Sequence, residues 1–329
     1  MDILADVLSA TILFAVPLLL VALGGMFSER SGIINLALEG IMIIGALIGC
    51  HILTALDEAV TVNGMGSQLA VLIALLAAGA AGVIFSLLLA FSAINLKADQ
   101  TIGGTALNQF APAFSIVLTW AILGQGQTTM TLPKWTRLTQ ANFGMEKGTG
   151  FFERFAFTSL YLTTFLTIVI FAAAVVLLYK TKFGLRLRSC GEHPQAAASV
   201  GINVYRMRYA GVMISGFLAG VGGMAFVFAV GGFQSDVAGY GFLALAVMIF
   251  GNWKPWSILG AALFFSFFRV IGNYAASIPF MPKFEEVNGV STYLWPMIPY
   301  VVTMILLILT SKKSRAPKAE GIPYDKGQR

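Results

Sequence analysis

The chain has 329 residues, of which 57% are hydrophobic and only 11% are Asp, Glu, Lys or Arg. A soluble domain carries about 25% charged residues, so this composition excludes an ordinary water-soluble domain and indicates one polytopic membrane unit. The two Cys and two His residues are too few for a disulfide framework or a typical metal site. No GxxxxGK[ST] stretch offers a phosphate-binding loop for ATP.

The first predicted element is an apolar span over residues 4–23. It is predicted to be retained, because the first residues of the chain include Asp2 and Asp6 and no base occurs before Arg30, whereas a cleaved signal needs a basic start. Apolar segments of about 20 residues can cross a hydrocarbon core of about 30 Å. Eight further segments meet this condition: 33–53, 68–94, 101–123, 159–180, 207–231, 237–252, 255–275 and 291–310. Together they predict an all-α polytopic membrane protein with about nine transmembrane helices. The segment 237–252 is short, with glycines near both ends, and is typical of a broken or re-entrant helix.

The orientation follows from the basic residues, which favour cytoplasmic loops. Residues 312–329 are strongly basic and are predicted to form a cytoplasmic tail behind a transmembrane domain at 1–311. Counting spans backwards places the basic stretch at 181–206 in the cytoplasm too, with the loops around Arg30, Lys97 and Lys254. The N-terminus is then predicted to lie outside the cytoplasm.

A faint internal repeat links the two halves of the chain. The stretches "ERSGIINLALEGIMIIGA" and "AGYGFLALAVMIFGN" each place a glycine-bearing break just before an apolar helix. Discontinuous helices at matching places in two halves are typical of a transport path.

Two charged residues, Glu39 and Arg269, fall inside predicted spans, where an ionisable group is costly and normally faces protein or water. Asn35 precedes Glu39 by one helical turn, so the two are predicted to share a face. Glu39 either lines a substrate path or braces a broken helix by accepting backbone N–H groups. Asn108 and Gln109, in the fourth span, either bond helices together or face a polar cavity. Arg269 lies at another depth and can extend towards the outer surface.

The stretch "RSCGEHPQAAASVG" predicts a small helix on the cytoplasmic side. Pro194 suits the first turn, where its missing N–H costs nothing, and Gly201 suits a left-handed stop. The three alanines between them favour close approach to a groove on another protein. Further along, Gly216 and Gly220 form a GxxxG face that predicts close helix packing.

The loop 124–158 is predicted to lie outside and mixes polar, glycine and aromatic residues. It is either a connector on the membrane surface or a docking surface for an external partner. Lys134 and Arg137 are its candidate contacts with such a partner.

The segment "TKFGLRLRSCGEHPQAAASVGINVYRMRYAGVMISGFLAGVGGM" resembles the coupling loop of permease subunits from bacterial ABC importers. That group carries ribose and other simple sugars, nucleosides and branched-chain amino acids. The stretch "GGMFSERSGIINLALEGIMIIGALIG" resembles the nucleoside and simple-sugar branch, and "LKADQTIGGTALN" and "GYGFLALAVMIFGNWKP" fit it as well. The resemblance covers residues 10–310. One departure is His193, where an Asn would cap the small helix better.

The resemblance implies an ABC importer permease fold in the bacterial cytoplasmic (inner) membrane. It implies that a separate ATPase subunit, which holds ATP and Mg, receives the small helix. The residues carried over to this coupling role are Gly191, Glu192, Pro194, Ala196, Ala197 and Gly201. It also implies a second, paralogous permease chain and an extracytoplasmic substrate-binding protein, with no cofactor in this chain and no nucleic-acid partner.

The resulting function is passage of a nucleoside or simple sugar into the cytoplasm, with Asn35, Glu39 and Asn108 as candidate path residues. The alternatives are a branched-chain amino acid permease and a self-contained secondary transporter, although a secondary transporter would want several intramembrane charges. A membrane enzyme would want a cluster of His, Cys or acidic residues.

Overall fold

The computed structural model describes residues 2–62, 65–139, 160–274 and 315–327, with isolated positions at 150, 151, 155 and between 297 and 308. The helices of these ranges are α1 (Asp2–Arg30), α2 (Leu38–Ala55), α3 (Asp57–Thr61), α4 (Ser67–Ile94), α5 (Gln100–Leu123), α6 (Leu162–Lys180), α7 (Lys182–Glu192), α8 (Pro194–Ser199), α9 (Val204–Val230), α10 (Tyr240–Phe250) and α11 (Pro255–Tyr274). A two-stranded antiparallel sheet pairs β1 (Met130–Thr131) with β2 (Gly232–Phe233).

Within the described residues, seven helices are long and apolar enough to cross a membrane: α1, α2, α4, α5, α6, α9 and α11. The chain is therefore a nearly all-helical, multi-pass membrane protein. The predicted segment 237–252 corresponds to α10, which has only 11 residues and is too short to span a bilayer. The predicted span 291–310 lies outside the described residues, apart from single helical positions.

Two predicted boundaries are wrong, and the break between α1 and α2 explains both. Helix α1 does not end near residue 23 but continues to Arg30. Helix α2 begins at Leu38 rather than near residue 33. The intervening chain turns at Gly32, whose φ of +98° is a left-handed conformation that glycine adopts without strain. The polar run 28–32 marks this turn in the sequence, but it does not show that α1 continues into it or that α2 begins only at Leu38.

Helix α9 occupies the centre of the bundle and packs against α1, α2 and α4. Its Gly216 and Gly220 form the predicted GxxxG face. A Cβ built on Gly82 of α4 would overlap the Gly216 carbonyl oxygen, and one on Gly45 of α2 would overlap Gly220. The packing interpretation of this motif is therefore confirmed, because three backbones approach too closely to admit any side chain.

One end of the bundle gathers the segments that the basic residues marked as cytoplasmic; we call it the basic end. The Arg30 guanidinium donates to the Trp253 carbonyl at 3.0 Å, and Lys97 pairs with Asp325 at 3.0 Å. The backbone N–H of Arg315 donates to the Asn252 side chain at 3.0 Å. At the opposite end lie the β1–β2 sheet and the short 3-10 helix Lys134–Thr136.

Candidate functional site

Helix α8 has the boundaries that the sequence predicts. Pro194 occupies its first turn, and Gly201 takes the left-handed conformation with a φ of +84°. The N–H of Gly201 donates to the Ala198 carbonyl at 3.0 Å, and the N–H of Ile202 donates to the Ala197 carbonyl at 3.1 Å. These two bonds form a Schellman stop, which satisfies carbonyls that the helix end would leave unpaired. His193 precedes the helix without a side-chain capping bond, in line with the departure noted from sequence.

The entry to α8 is held against the end of α1. A Cβ on Gly191 would overlap the Arg30 carbonyl oxygen, so only glycine fits there. The Glu192 carboxylate lies 3.8 Å from the Arg30 guanidinium, in an ion pair whose Glu192 side is half-exposed and whose Arg30 side is mostly buried. Through these contacts α1, a membrane-spanning helix, is in direct contact with the loop that carries α8.

The two faces of α8 differ, and the expectation that Ala197 lies on the outward face is wrong. Ala197 is only 3% exposed and packs in a small cluster with Cys190, Val204 and Tyr324. Pro194 is also buried. The outward face consists of Gln195, Ala196, Ser199 and Val200, followed by Gly201. The sequence could not separate these faces because three consecutive alanines carry no hydrophobic periodicity.

The C-terminal segment 315–327 lies across this loop, a contact that sequence reasoning missed. Ala319 donates its N–H to the Gly191 carbonyl at 2.8 Å, and Gly321 donates to the Gly32 carbonyl at 3.2 Å. The Tyr324 ring contacts the Tyr205 ring edge-on, with centroids 5.4 Å apart. The only signal in the sequence is the short stretch "AEGIPY", which interrupts an otherwise basic segment.

Where this segment meets the bundle, buried and half-buried polar residues form a group that the sequence did not single out. The Trp253 indole N–H donates to the Glu29 carboxylate at 2.6 Å. Glu320 lies beside Glu29, and burial raises the pKa of its carboxyl group to about 7. Arg208, near the start of α9, is only 1% exposed. These residues place protonatable groups between the membrane helices and the α8 loop.

In the middle of the bundle, Glu39 joins two broken helices. It lies in the first turn of α2, not two turns inside a span. Its carboxylate accepts the N–H of Gly239 at 2.8 Å and the N–H of Gly241 at 2.6 Å, at the start of α10. Such N–H groups have no intrahelical partner. The two stretches that formed the faint repeat therefore meet in space, and Glu39 makes the bracing contact that was one of its two predicted roles.

Asn35 and Asn108 hold the break before α2. Asn35 is not on α2, so the prediction that it shares a helix face with Glu39 is wrong; its side chain donates to the Ser215 hydroxyl at 2.8 Å. The Asn108 amide donates to the Leu36 carbonyl at 2.6 Å and accepts the Gly40 N–H at 2.8 Å. These contacts give both residues a structural role, and a role in the substrate path stays a prediction for them and for Glu39.

Arg269 packs on aromatic rings inside the bundle rather than extending to the outer surface, and it does not pair with Glu39. Its guanidinium carbon lies 4.5 Å from the centroid of the Tyr240 ring and 6.0 Å from that of Phe14. A cation over an aromatic face is stabilised by the ring quadrupole. Tyr240 begins α10, so Arg269 stabilises the helix start that Glu39 caps.

The two candidate docking residues lie at the end opposite to α8. Lys134 begins the 3-10 helix and is exposed. Arg137 is exposed as well, with its guanidinium carbon 5.7 Å from the centroid of the Tyr161 ring. Much of the loop 124–158 falls outside the described residues, so the structure places these two bases without defining the rest of the surface.

The chain is a helical bundle in which two broken helices meet in the interior and a small helix is exposed at one end. These features are typical of a polytopic membrane transport protein. Comparison with known proteins makes this class specific. Residues 7–310 match the family described as branched-chain amino acid transport system / permease component, and the chain belongs to this family. It is a permease subunit and not itself an enzyme.

Two relatives that match over nearly their full length carry other substrate names than the family does. The chain is 41% identical to the guanosine ABC transporter permease protein NupQ of Bacillus subtilis, over 100% of this chain and 99% of that protein. It is 38% identical to the nucleoside ABC transporter permease protein NupC of Lactococcus lactis, over 96% of each chain. A branched-chain amino acid relative, the probable LivH permease of Methanocaldococcus jannaschii, is 42% identical over 22% of this chain. No solved structure matches the chain.

Proposed function

We propose that the chain is the membrane-spanning subunit of an ATP-driven ABC importer that passes nucleosides into the cytoplasm. The observation that carries the substrate is the full-length similarity to two nucleoside permeases at 38% and 41% identity. The similarity to a branched-chain amino acid permease covers only 22% of the chain, which makes an amino acid the weaker candidate.

The proposal includes a separate ATPase subunit bound at α8. The outward face of α8 is small and polar apart from Val200, which is 74% exposed. One exposed apolar residue is normal on a protein surface, so the support for a partner is that small side chains on a rigidly held helix permit close approach of another protein, as in the coupling loops that this segment resembles. ATP and Mg are assigned to that partner. The coupling residues are then of two kinds: Ala196 and Gly201 face outward, while Gly191, Glu192, Pro194 and Ala197 hold the helix in place.

The proposed orientation puts the basic end in the cytoplasm of a bacterial cell, at the inner membrane, with the N-terminus outside. The clustering of Arg30, Lys97 and the segment 315–327 at one end supports this, because basic residues favour the cytoplasmic side. An extracytoplasmic binding protein would then meet the end that carries Lys134 and Arg137. A second, paralogous permease chain completes the assembly.

Reconstitution of the permease with its cognate ATPase, second permease chain and binding protein tests the function. We expect guanosine to stimulate ATP hydrolysis and vesicle uptake, while ribose and leucine have little effect. Stimulation by leucine alone would replace the substrate assignment with an amino acid. Uptake that persists without ATP but collapses with the proton gradient would indicate a secondary transporter and overturn the proposal.

A further inference from the structure

Helix α5 is the least buried of the described membrane spans. Only 22% of its most apolar window is buried within the chain, against 72% for α2 and 78% for α9. A helix of 24 residues is roughly 36 Å long, so this open face crosses the whole bilayer. The side chains on this open face therefore indicate whether it contacts lipid, water or another chain.

The open face of α5 carries two polar side chains at membrane depth, where the open faces of the other described spans carry apolar ones. Among the described residues of the seven spans, the polar or charged side chains that are exposed more than one turn from a helix end are Thr105 and Gln109. The set compared comprises Ser, Thr, Asn, Gln and the charged residues. Helices α4 and α6, by contrast, expose residues such as Leu88 and Ile168 over their central turns. The Thr105 hydroxyl donates to the Thr101 carbonyl at 2.8 Å. The Gln109 amide makes no hydrogen bond within the described part of the chain.

The rotation of α5 is set by the residue next to Gln109. Asn108 is held on the inner side by its bonds to Leu36 and Gly40. Consecutive helical residues point about 100° apart, so this anchor turns Gln109 out of the bundle. Gln109 lies nine residues along the helix, roughly 14 Å from its start, at the depth of the hydrocarbon core. An amide that faced lipid there would lack any hydrogen-bond partner, at a cost of several kcal/mol.

Grooves surround these polar groups. A groove of about 330 Å³ is lined by Thr101, Ile102, Thr105, Ala106 and Gln109. Thr101 also lines a cavity of about 300 Å³ at the basic end, where the segment 315–327 approaches α5. The half-exposed rings of Phe110 and Phe114 stack with centroids 5.3 Å apart on a part of α5 that is turned about 100–140° from Gln109, and Phe110 also stacks on Phe85 of α4. The groove itself thus combines hydroxyl and amide groups with the apolar side chains of Ile102 and Ala106.

We propose that this face of α5 is the wall along which the nucleoside passes, with Gln109 as a specificity-determining contact. A nucleoside has a sugar rich in hydroxyl groups and a flat base. Gln109 and Thr105 match the first by hydrogen bonding, and the apolar side chains of Ile102 and Ala106 in the same groove match the second. The inference rests on the proposed function and adds to it the residues that contact substrate.

Transport by side-chain variants tests the inference in the reconstituted importer. We expect Gln109→Leu to lower guanosine uptake at subsaturating concentration about five- to tenfold, the value of one or two lost hydrogen bonds. Thr105→Val should lower it less, and Gln109→Asn should retain part of the uptake. The matched control Asn273→Leu removes an exposed amide from the last turn of α11, outside the loop 124–158. If the face met lipid, Gln109→Leu would insert as well as the wild type and transport at the wild-type rate, which would overturn the inference.

Thiol labelling distinguishes an aqueous path from a buried contact with a second chain. The two native cysteines, Cys50 and Cys190, are 2% and 0% exposed and give little background. We expect a water-soluble reagent to modify Gln109→Cys and Thr105→Cys, with protection by guanosine, but not Ile168→Cys or Leu88→Cys. Absence of labelling at both α5 positions would overturn the inference. Wild-type importer that fails to transport any nucleoside would instead refute the proposed function, so the two failures are separable.

Discussion

Individual side chains in this permease mostly stabilise broken backbone. Glu39, Asn35 and Asn108 are buried polar residues in a bilayer, and each bonds backbone or side-chain groups at the ends of interrupted helices. A break in a membrane helix is tolerated only when its freed N–H and carbonyl groups find partners inside the protein. The polar residues that the sequence marks as candidate path residues are therefore required first by the break, and their role in the substrate path stays a prediction.

Substitution of Glu39 tests this bracing role. Glu39→Ala leaves two buried N–H groups of α10 without acceptors, and each unsatisfied group costs about 1–3 kcal/mol. We expect Glu39→Ala to lower the thermal unfolding temperature of the purified permease clearly, and Glu39→Gln, which keeps one acceptor oxygen, to lower it less. The exposed Glu58→Gln provides a control that should be neutral. A stable Glu39→Ala permease that had lost transport would contradict the bracing role and favour a path role.

At the scale of single elements, α8 shows how a six-residue helix is held rigidly outside a bundle. Proline sets its start, a left-handed glycine sets its stop, and one face packs on Cys190, Val204 and Tyr324. A short isolated helix is unstable in water, so these tertiary contacts are what keep it formed. Its outward face is then free to meet a partner without first ordering.

Neighbouring alanines on α8 permit a matched test of its two faces. Ala197→Trp must displace the cluster beneath the helix, and overpacking typically costs about 1–3 kcal/mol. We expect it to destabilise the permease itself, as measured by thermal unfolding. Ala196→Trp, on the exposed side, should leave the unfolding temperature unchanged but reduce co-purification of the ATPase and substrate-stimulated hydrolysis. Normal binding and hydrolysis with Ala196→Trp would show that the outward face is not the docking surface.

On the scale of the whole molecule, the basic end is closed by the C-terminal segment. Residues 315–327 contact the break after α1, the α8 loop and the loop before α5 through Gly32, Gly191 and Lys97. The Glu320 carboxyl group is buried there next to Glu29, and this burial raises its pKa to about 7. A segment predicted as a charged tail is thus part of the packed structure near the proposed ATPase site.

This burial predicts that docking of the segment depends on pH. The pKa of Glu320 is raised to about 7 in the folded chain from a reference value of 4.5, so the docked state binds the proton more tightly. Its docking is therefore favoured below pH 4.5 and weakens as pH rises towards and through 7. We expect amide hydrogen exchange of residues 315–327, corrected for intrinsic rates, to increase between pH 6 and 8.

The same measurement on two variants isolates the Glu320 group. Glu320→Gln cannot ionise and should remove most of the pH dependence while keeping the segment docked. Asp325→Asn, which weakens the exposed pair with Lys97, should change the exchange little with pH. Equal pH dependence in Glu320→Gln and wild type would assign the effect to another group.

Membrane spans and loops could be predicted because a bilayer acts on each segment separately. Every span must itself be apolar over about 20 residues and satisfy its own backbone, so composition alone identified α4, α5, α6, α9 and α11 to within a few residues. The start and the end of α8 could be predicted for a similar reason, since Pro194 and Gly201 act on local backbone angles. These features depend on neighbours in sequence.

Only the tertiary structure decided which residues face one another. Glu39 and Gly239 are 200 residues apart in sequence, and their contact requires two helix breaks to meet at one depth. The rotation of α5, set by Asn108, turned Gln109 outward, and no hydrophobic periodicity distinguished the two neighbouring amides beforehand. In a bilayer, the inner and outer faces of a helix are both apolar, so hydropathy specifies that a helix spans the membrane, while packing specifies the direction in which each side chain points.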